Sequence, residues 1–472
     1  MPKFFFIPSL LLLFYAGLGA YPLLNNNEGL YAQIAWEMVQ SGDWVIPHLN
    51  GVPYIEKPPL LYWLIAVSFK FFGKTAFAAR LVPATFGLAT CLSLYFFARS
   101  IQKKKWGQYS AVILASFAGF MIFSRMVFFD VALTFFLTAA ALCFYKFYET
   151  LTQRYLYLFS AWMAGAVLTK GIVALALMGA LIISFLCVEK KLEFLKYFFN
   201  PGAILIFLGL TVPWHVAASL KEPGFALFYF VNEHWLRFVD QRIPRDYYRG
   251  PLYYYVPRLL GYMVPWTFVI LFTIKKNLFS SLSSFQKYLM CWFLSFLVFF
   301  SVSKAKANYY MVVGLPPLAL GLGHVMTEKL RQGRLILIVN VAGALTLLTG
   351  GVWYMNRHAQ SFSVEPSLSS IQKNVPIYLY KRFEELSTLP FYANQSIPII
   401  DSESWDLWYA QQQGHEATFL PYLYNLNLPG YVYVLNRDEE TFLKKYQDFH
   451  PKIIYTSSVY KIFFIEKQRR AP

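Results

Sequence analysis

Apolar residues fill most of the first 355 positions in blocks of 16 to 24, separated by short polar stretches. A membrane-spanning helix needs about 20 such residues. Eleven blocks qualify: 4–24, 80–99, 108–124, 130–148, 155–170, 171–188, 199–218, 251–274, 286–303, 308–326 and 335–354. The first block lacks a convincing small-residue cleavage site and is followed by more spans, so it reads as a retained span rather than a signal peptide. Pro58 to Gly73 is apolar but short, and Lys70 and Lys74 interrupt its end. It reads as a helix lying along the interface. Within 28–40, Leu30, Ile34, Ala35 and Met38 share one face at helical spacing, and Gly42 ends the segment. That pattern predicts a short amphipathic helix at the outer interface, carrying Glu28 toward the active cavity.

After about residue 355 the pattern changes. Strand-like runs at Ile397–Ile400, Tyr431–Leu435, Lys452–Thr456 and Tyr460–Ile465 alternate with helical stretches near 403–413 and 437–447. This predicts a polytopic helical domain over 1–355, with a first outer loop at 25–79. A small α/β domain follows over 356–472, large enough to hold its own core.

Composition supports the membrane reading. The 472 residues are 57% hydrophobic and 14% charged, far too apolar for a soluble chain of this length. The net charge of +17 does not point to nucleic acid, because the basic residues sit in short clusters between apolar blocks. Those clusters are Arg99 with Lys103, Lys104 and Lys105; Lys146 with Arg154; Lys190, Lys191 and Lys196; Lys275, Lys276 and Lys287; and Lys329, Arg331 and Arg334. Each lies an even number of crossings from the N-terminus. The positive-inside rule makes them cytoplasmic, the N-terminus cytoplasmic and the tail external. Cys91, Cys143, Cys187 and Cys291 fall inside apolar blocks and imply neither a disulfide framework nor a metal site.

This threading places a set of unusual charges on the outer face: Glu28, Glu56, Lys57, Arg125, Asp130, Lys170, Glu233, Arg237, Lys304 and Lys306. Charges beside apolar spans are costly and usually functional. Cations there suit a phosphate attached to a lipid chain. Lys57 is the sharpest case, because Pro58 and Pro59 hold it extended before a helix begins. Each group also has a plainer reading. Glu56 and Lys57 form an interfacial ion pair, Arg125 pairs with Asp130, Lys170 snorkels, Lys304 and Lys306 lie in a solvated turn, and Glu233 and Arg237 cap a surface helix.

The order of motifs resembles the bacterial 4-amino-4-deoxy-L-arabinose lipid A transferase family, within the GT-C class that includes the protein O-mannosyltransferases. The motifs are Asn27-Glu28-Gly29-Leu30-Tyr31-Ala32, Ser41-Gly42-Asp43-Trp44, Leu49-Asn50-Gly51, Tyr54-Ile55-Glu56-Lys57-Pro58-Pro59, Arg125 with Asp130, Leu168-Thr169-Lys170-Gly171, Pro213-Trp214, Glu233-His234 with Arg237-Phe238, and Ser303-Lys304-Ala305-Lys306 with Tyr309. The resemblance implies a GT-C-like fold of about 11–13 spans with an extracytoplasmic C-terminal domain, in a bacterial inner membrane. It implies an inverting glycosyltransferase that takes a sugar from a polyprenyl phosphate and passes it to an acceptor such as lipid A. Lys57 and Arg237, with Lys304, Lys306 and Tyr309, would hold the donor phosphate. Glu28, Asp130 and Lys57 would be catalytic, and Tyr54, Glu56, Arg125, Lys170 and Glu233 would line the substrate space. No cofactor is required, and a divalent metal is left open. The family usually has Asp-Glu-x-Arg-Tyr where this chain has Asn27-Glu28-Gly29-Leu30-Tyr31. Asn27 cannot act as a base, which favours an acceptor that arrives already ionised, such as a phosphate. A protein or glycan hydroxyl acceptor would need Glu28 or Asp130 as base. A lipid-linked sugar flippase and a non-catalytic scaffold are the other classes.

Overall fold

Helices occupy the apolar blocks, with breaks where the chain supplies a reason. The computed structural model describes residues 3–101, 103–245, 249–273, 282–328, 333–414, 418–420 and 428–466. Lys275, Lys276, Lys329 and Arg331 of the basic clusters lie outside these residues. Among the described residues, six helices are long and apolar enough to cross a membrane: Ala76–Ser100, Phe129–Thr150, Pro201–Lys221, Ser284–Val302, Asn308–Thr327 and Gly333–Arg357. A seventh is added if Lys104–Ser116 and Ala118–Ser124, bent by 70°, count as one. Gln153–Lys170 and Val173–Glu189 fill two further blocks as shorter helices.

Three blocks differ from expectation. The first helix runs only from Lys3 to Tyr15. Gly17 then takes a left-handed conformation, and the Arg125 guanidinium donates to the carbonyls of Leu13, Phe14 and Ala16. Those carbonyls are the unpaired acceptors of a helix end, so a distant cation terminates this helix. The block at 251–274 is two eight-residue helices, Tyr255–Tyr262 and Trp266–Thr273, because Pro265 has no N–H to continue the ladder. The bend at Phe117 is fixed from the same place. Ala118 N–H bonds the Val264 carbonyl at 2.8 Å, and the Trp266 indole bonds the Ser116 hydroxyl at 2.8 Å. Gly119 permits the approach, since a Cβ there would lie 2.5 Å from the Tyr262 ring.

The chain divides into two compact units. One comprises 1–18, 56–61 and 80–351, and the other 19–55, 62–79 and 352–472. The unit that holds the tail resumes at Val352, and most of the first loop belongs to it rather than to the helical unit. Side chains explain this. Asn50 exchanges hydrogen bonds of 2.8 and 2.7 Å with the backbone of Ile397, and the Thr388 N–H and hydroxyl both donate to the Asn25 side-chain oxygen. The helix expected at 28–40 runs from Asn27 to Ser41, and left-handed Gly42 ends it. Most of its residues are buried, including Glu28, Gln33 and Glu37 on its polar side. It packs as a core helix of this unit, buried on both its apolar and its polar side. Gly29 allows its closest contact, because a Cβ there would meet Thr388 at 2.7 Å.

A short hairpin pairs β1 (His48–Leu49) with β2 (Val52–Pro53). The tail forms a six-stranded sheet from β3 (Ile377–Tyr380), β4 (Ile399–Ile400), β5 (Phe419–Leu420), β6 (Gly430–Leu435), β7 (Lys452–Thr456) and β8 (Tyr460–Ile465), in the order β5-β4-β3-β6-β8-β7. Strands β5, β4, β3 and β6 are parallel to one another, whereas β8 is antiparallel to both β6 and β7. Every residue of β6 is buried, as befits a central strand. Tyr378, Tyr380, Val432, Val434, Phe442, Tyr446 and Phe463 make its core.

Candidate active site

The site in the helical unit is built on two segments that place charge beside apolar helices. Lys57 precedes Pro58-Pro59, and the helix Leu60–Phe72 starts directly after them, as the prolines require. Leu227–Leu236 forms a π-helical stretch, a conformation that gathers at functional sites. It presents Glu233, and Arg237 follows it. The Asn232 side chain donates to the Ile243 carbonyl at 2.7 Å and accepts from its N–H at 2.9 Å. This pair of bonds folds the chain back and sets Arg242 beside Glu233.

A network of five charges results. Arg242 Nε bonds Glu233 Oε1 at 2.6 Å and Arg242 NH2 bonds Glu56 Oε1 at 2.9 Å. Arg237 NH1 bonds Glu233 Oε2 at 3.1 Å, and Lys57 Nζ lies 3.9 Å from Glu56 Oε2. All five side chains are mostly or fully buried. Burial, then the Arg237 charge, pulls the Lys57 ammonium down to about 8, against the opposing pull of Glu56 and Glu233. Burial pushes Glu233 up, but Arg242, Arg237 and Lys57 together outweigh it and hold its carboxyl below the ordinary range.

A second pair lies where the start of one helix stands beside the end of its neighbour. Asp130 stands in the first turn of Phe129–Thr150 and Lys170 in the last turn of Gln153–Lys170. Each sign complements its helix dipole. Lys170 Nζ bonds Asp130 Oδ1 at 2.5 Å, and the ammonium also lies 4.3 Å from the Tyr310 ring centre and 5.7 Å from that of Tyr309. Tyr309 is buried, with its ring 4.8 Å from Phe128. Lys57 and Asp130 act electrostatically on one another, as do Lys170 and Arg237, so the pair and the network form one site.

Gly171 joins them. Its φ is +77°, and a Cβ would fall 2.1 Å from His234 Nε2, in the π-helical stretch. The His234 ring is fixed by a 2.6 Å bond between Nδ1 and the Tyr229 carbonyl. Gly171→Ala is therefore expected to lower stability by about 1–3 kcal/mol from backbone strain and side-chain displacement. Thermal unfolding of the purified protein measures it, and an unchanged midpoint would contradict the packing described.

The structure thus brings together Glu56, Lys57, Asp130, Lys170, Glu233, Arg237 and Tyr309. The other expected residues show these contacts. Arg125 ends the first helix through its bonds to the Leu13, Phe14 and Ala16 carbonyls. Lys304 is exposed at a turn, and Lys306 is buried with its ammonium on the Ser303 carbonyl. Glu28 and Tyr54 belong to the other unit. There the Glu28 carboxylate accepts from the Leu24 N–H at 3.0 Å, and the Tyr54 N–H bonds the Pro47 carbonyl at 2.8 Å. Arg242 and Tyr310 were not foreseen. Arg242 gave no local signal, since one carboxylate it holds, Glu56, is 186 residues away and the other, Glu233, is reached only through the turn back at Asn232 and Ile243. Among the described residues, no three His, Cys, Asp or Glu side chains gather as a metal-holding group.

Residues 56–216 match the model of the dolichyl-phosphate-mannose-protein mannosyltransferase family. The chain is 32% identical over 337 residues to the undecaprenyl phosphate-alpha-4-amino-4-deoxy-L-arabinose arabinosyl transferase of Aeromonas salmonicida, covering 70% of this chain and 60% of the relative. It is 31% identical over 355 residues to the protein of the same name from Yersinia enterocolitica, covering 72% and 63%. The chain therefore spans less than two thirds of the length of these relatives. Its fold matches the crystal structure of ArnT from Cupriavidus metallidurans bound to undecaprenyl phosphate, with a TM-score of 0.82, 19% identity and 97% of each chain covered. By sequence and by fold, the chain is a multi-span membrane protein with a GT-C-like fold, similar to these arabinosyl transferases and, over residues 56–216, to the protein mannosyltransferases.

Proposed function

We propose that this protein is an inverting glycosyltransferase that takes a sugar from a polyprenyl phosphate and passes it to lipid A phosphate at the outer face of the bacterial inner membrane. The observation that carries the reading is the buried cation pair Lys57 and Arg237, set beside apolar helices in a network with more positive than negative charge. Such a site matches a phosphate that carries a hydrocarbon chain. The relatives named above supply the donor class, undecaprenyl phosphate, and the sugar to test first, 4-amino-4-deoxy-L-arabinose.

In this reaction the acceptor phosphate oxygen forms a bond to the anomeric carbon. The bond from that carbon to the donor phosphate oxygen breaks on the opposite side. The electron pair leaves with the polyprenyl phosphate, whose added charge Lys57 and Arg237 stabilise. An acceptor phosphate is ionised near neutral pH, so no proton need be removed, in keeping with Asn27 at the position of the family's usual acid. Asp130 is held by Lys170, and Tyr309 and Tyr310 wall the space above Lys170. The phosphate charge is met by these cations without a metal as part of the reading. The N-terminus is assigned to the cytoplasm and the α/β unit to the periplasm, on the strength of the basic clusters.

Because the Lys57 ammonium sits at about 8, it loses its proton well below the usual lysine range. Affinity for undecaprenyl phosphate is expected to fall as pH rises through about 8 to 9, although the lipid phosphate is fully ionised there. Direct binding measured from pH 6 to 10 checks this, and affinity held level up to pH 10 would contradict it. The function itself is tested in vesicles with undecaprenyl-phosphate-linked aminoarabinose and lipid A. Sugar joined to lipid A supports it. Donor that only changes leaflet, with no new bond, makes the protein a flippase.

A further inference from the structure

Arg242 holds a position that the charge pattern of the site makes distinctive. All three of its guanidinium nitrogens are engaged: Nε with Glu233 Oε1, NH2 with Glu56 Oε1, and NH1 with the Pro244 carbonyl at 3.1 Å. It is a clamp rather than a ligand for an incoming group. Each carboxylate it holds divides its two oxygens in the same way. Glu56 gives Oε1 to Arg242 and turns Oε2 toward Lys57, at 3.9 Å. Glu233 gives Oε1 to Arg242 and Oε2 to Arg237, at 3.1 Å. The two carboxylates thus stand between Arg242 on one side and the two phosphate-binding cations on the other.

We infer that Arg242 is a positioning residue that takes up one oxygen of Glu56 and one of Glu233, and so leaves Lys57 and Arg237 with positive charge in excess for a lipid-linked phosphate. The inference rests on the reading of Lys57 and Arg237 as the donor-phosphate site. The charge count gives the reason. Lys57, Arg237 and Arg242 carry three positive charges against two on Glu56 and Glu233, which leaves one positive charge for an anion. Without Arg242 the count is zero. Each carboxylate then has a single cationic partner in the network, Lys57 for Glu56 and Arg237 for Glu233, and with both oxygens turned to it the pair in a buried site tightens beyond the 3.9 and 3.1 Å contacts seen here. An arriving phosphate must then displace a carboxylate from each cation. The fork of an arginine is needed, because two carboxylates are held at different nitrogens of one plane. A lysine ammonium is a point charge and does not reproduce that geometry.

The test measures binding of undecaprenyl phosphate to the purified full-length protein, together with donor KM and kcat. Arg242→Gln is expected to weaken binding and raise donor KM by about tenfold or more, with kcat at saturating donor within about threefold. Adding Glu56→Gln to the same chain removes one negative charge, restores the surplus, and is expected to return affinity to within about threefold of the parent. If Arg242→Gln does not survive purification, Arg242→Lys takes its place. It is expected to weaken binding less, by about threefold, and to be corrected by the same Glu56→Gln change.

Unchanged affinity in the Arg242 variants overturns the inference. So does weakened affinity that Glu56→Gln fails to correct, since that marks a role in shape alone. Lys57→Ala, measured alongside, separates the two readings. If it weakens binding and the Arg242 variants do not, only the role of Arg242 falls. If it leaves binding unchanged, the donor-phosphate site itself has been misplaced, and the inference falls with it.

Discussion

Lys57→Ala is expected to lower sugar transfer by about a hundredfold or more while leaving the protein folded. The two halves of this expectation have separate grounds. The contact to the departing phosphate is charge-assisted and strengthens as charge develops, and removal of one such group costs roughly 2–4 kcal/mol of transition-state stabilisation. The fold depends on it little. Burial and Arg237 already disfavour the Lys57 charge where it stands. Its partner Glu56 keeps the 2.9 Å bond to Arg242 when the lysine is gone. Turnover and thermal midpoint of the purified variant should therefore separate, the first collapsing and the second moving little. Near-normal turnover would reduce Lys57 to an interfacial ion-pair partner.

The second large effect falls on stability. Lys170→Met is expected to destabilise the protein by about 3–5 kcal/mol, because it strands the Asp130 carboxylate in a buried position. The Asp130 side chain is only 3% exposed, so water cannot readily replace the ammonium. Asp130→Leu added to Lys170→Met removes the stranded charge and should recover most of the loss, although not the activity. Thermal unfolding of the three chains measures it. A Lys170→Met protein as stable as the parent would mean that Lys170 merely reaches toward the interface.

These contacts also mark how far the sequence could be read. Helices such as Phe129–Thr150 and Gly333–Arg357 were visible because a membrane helix must be apolar over a fixed length. The short Leu60–Phe72 helix was visible from its prolines and its length. The early stop of the first helix at Tyr15 was not, because the group that ends it, Arg125, is 109 to 112 residues away. The break at Val264-Pro265 had a local sign in the proline, which its apolar surroundings masked. In the tail, β6 and β8 stood out as long buried runs. Strand β3 did not, because its four residues follow a loop with no alternation of polar and apolar positions. The union of residues 19–55 with the tail was hidden for another reason. Loops were assigned by the spans beside them, whereas Asn25 and Asn50 find their partners more than 340 residues later.

The site divides along the same line. Glu56 with Lys57 and Glu233 with Arg237 could be picked out because each pair is local, adjacent or one helical turn apart. Asp130 and Lys170 could be picked out singly, as charges at the ends of apolar blocks. Their pairing could not, because Arg125 lay nearer to Asp130 in the chain. Arg242 carried no mark at all, since a cation between Gln241 and Ile243 in a polar loop looks like any solvated residue. Only the fold, through Asn232 and Ile243, turns it inward.

The account stands or falls on whether a sugar moves from lipid to lipid. The direct measurement is mass spectrometry of lipid A from cells that carry or lack this protein, with the Lys57→Ala chain as control. The expected result is lipid A bearing an added aminoarabinose on phosphate, present with the intact protein and absent both without it and with Lys57→Ala. Unmodified lipid A in the presence of active protein, with sugar found instead on serine or threonine of a secreted protein, would contradict it.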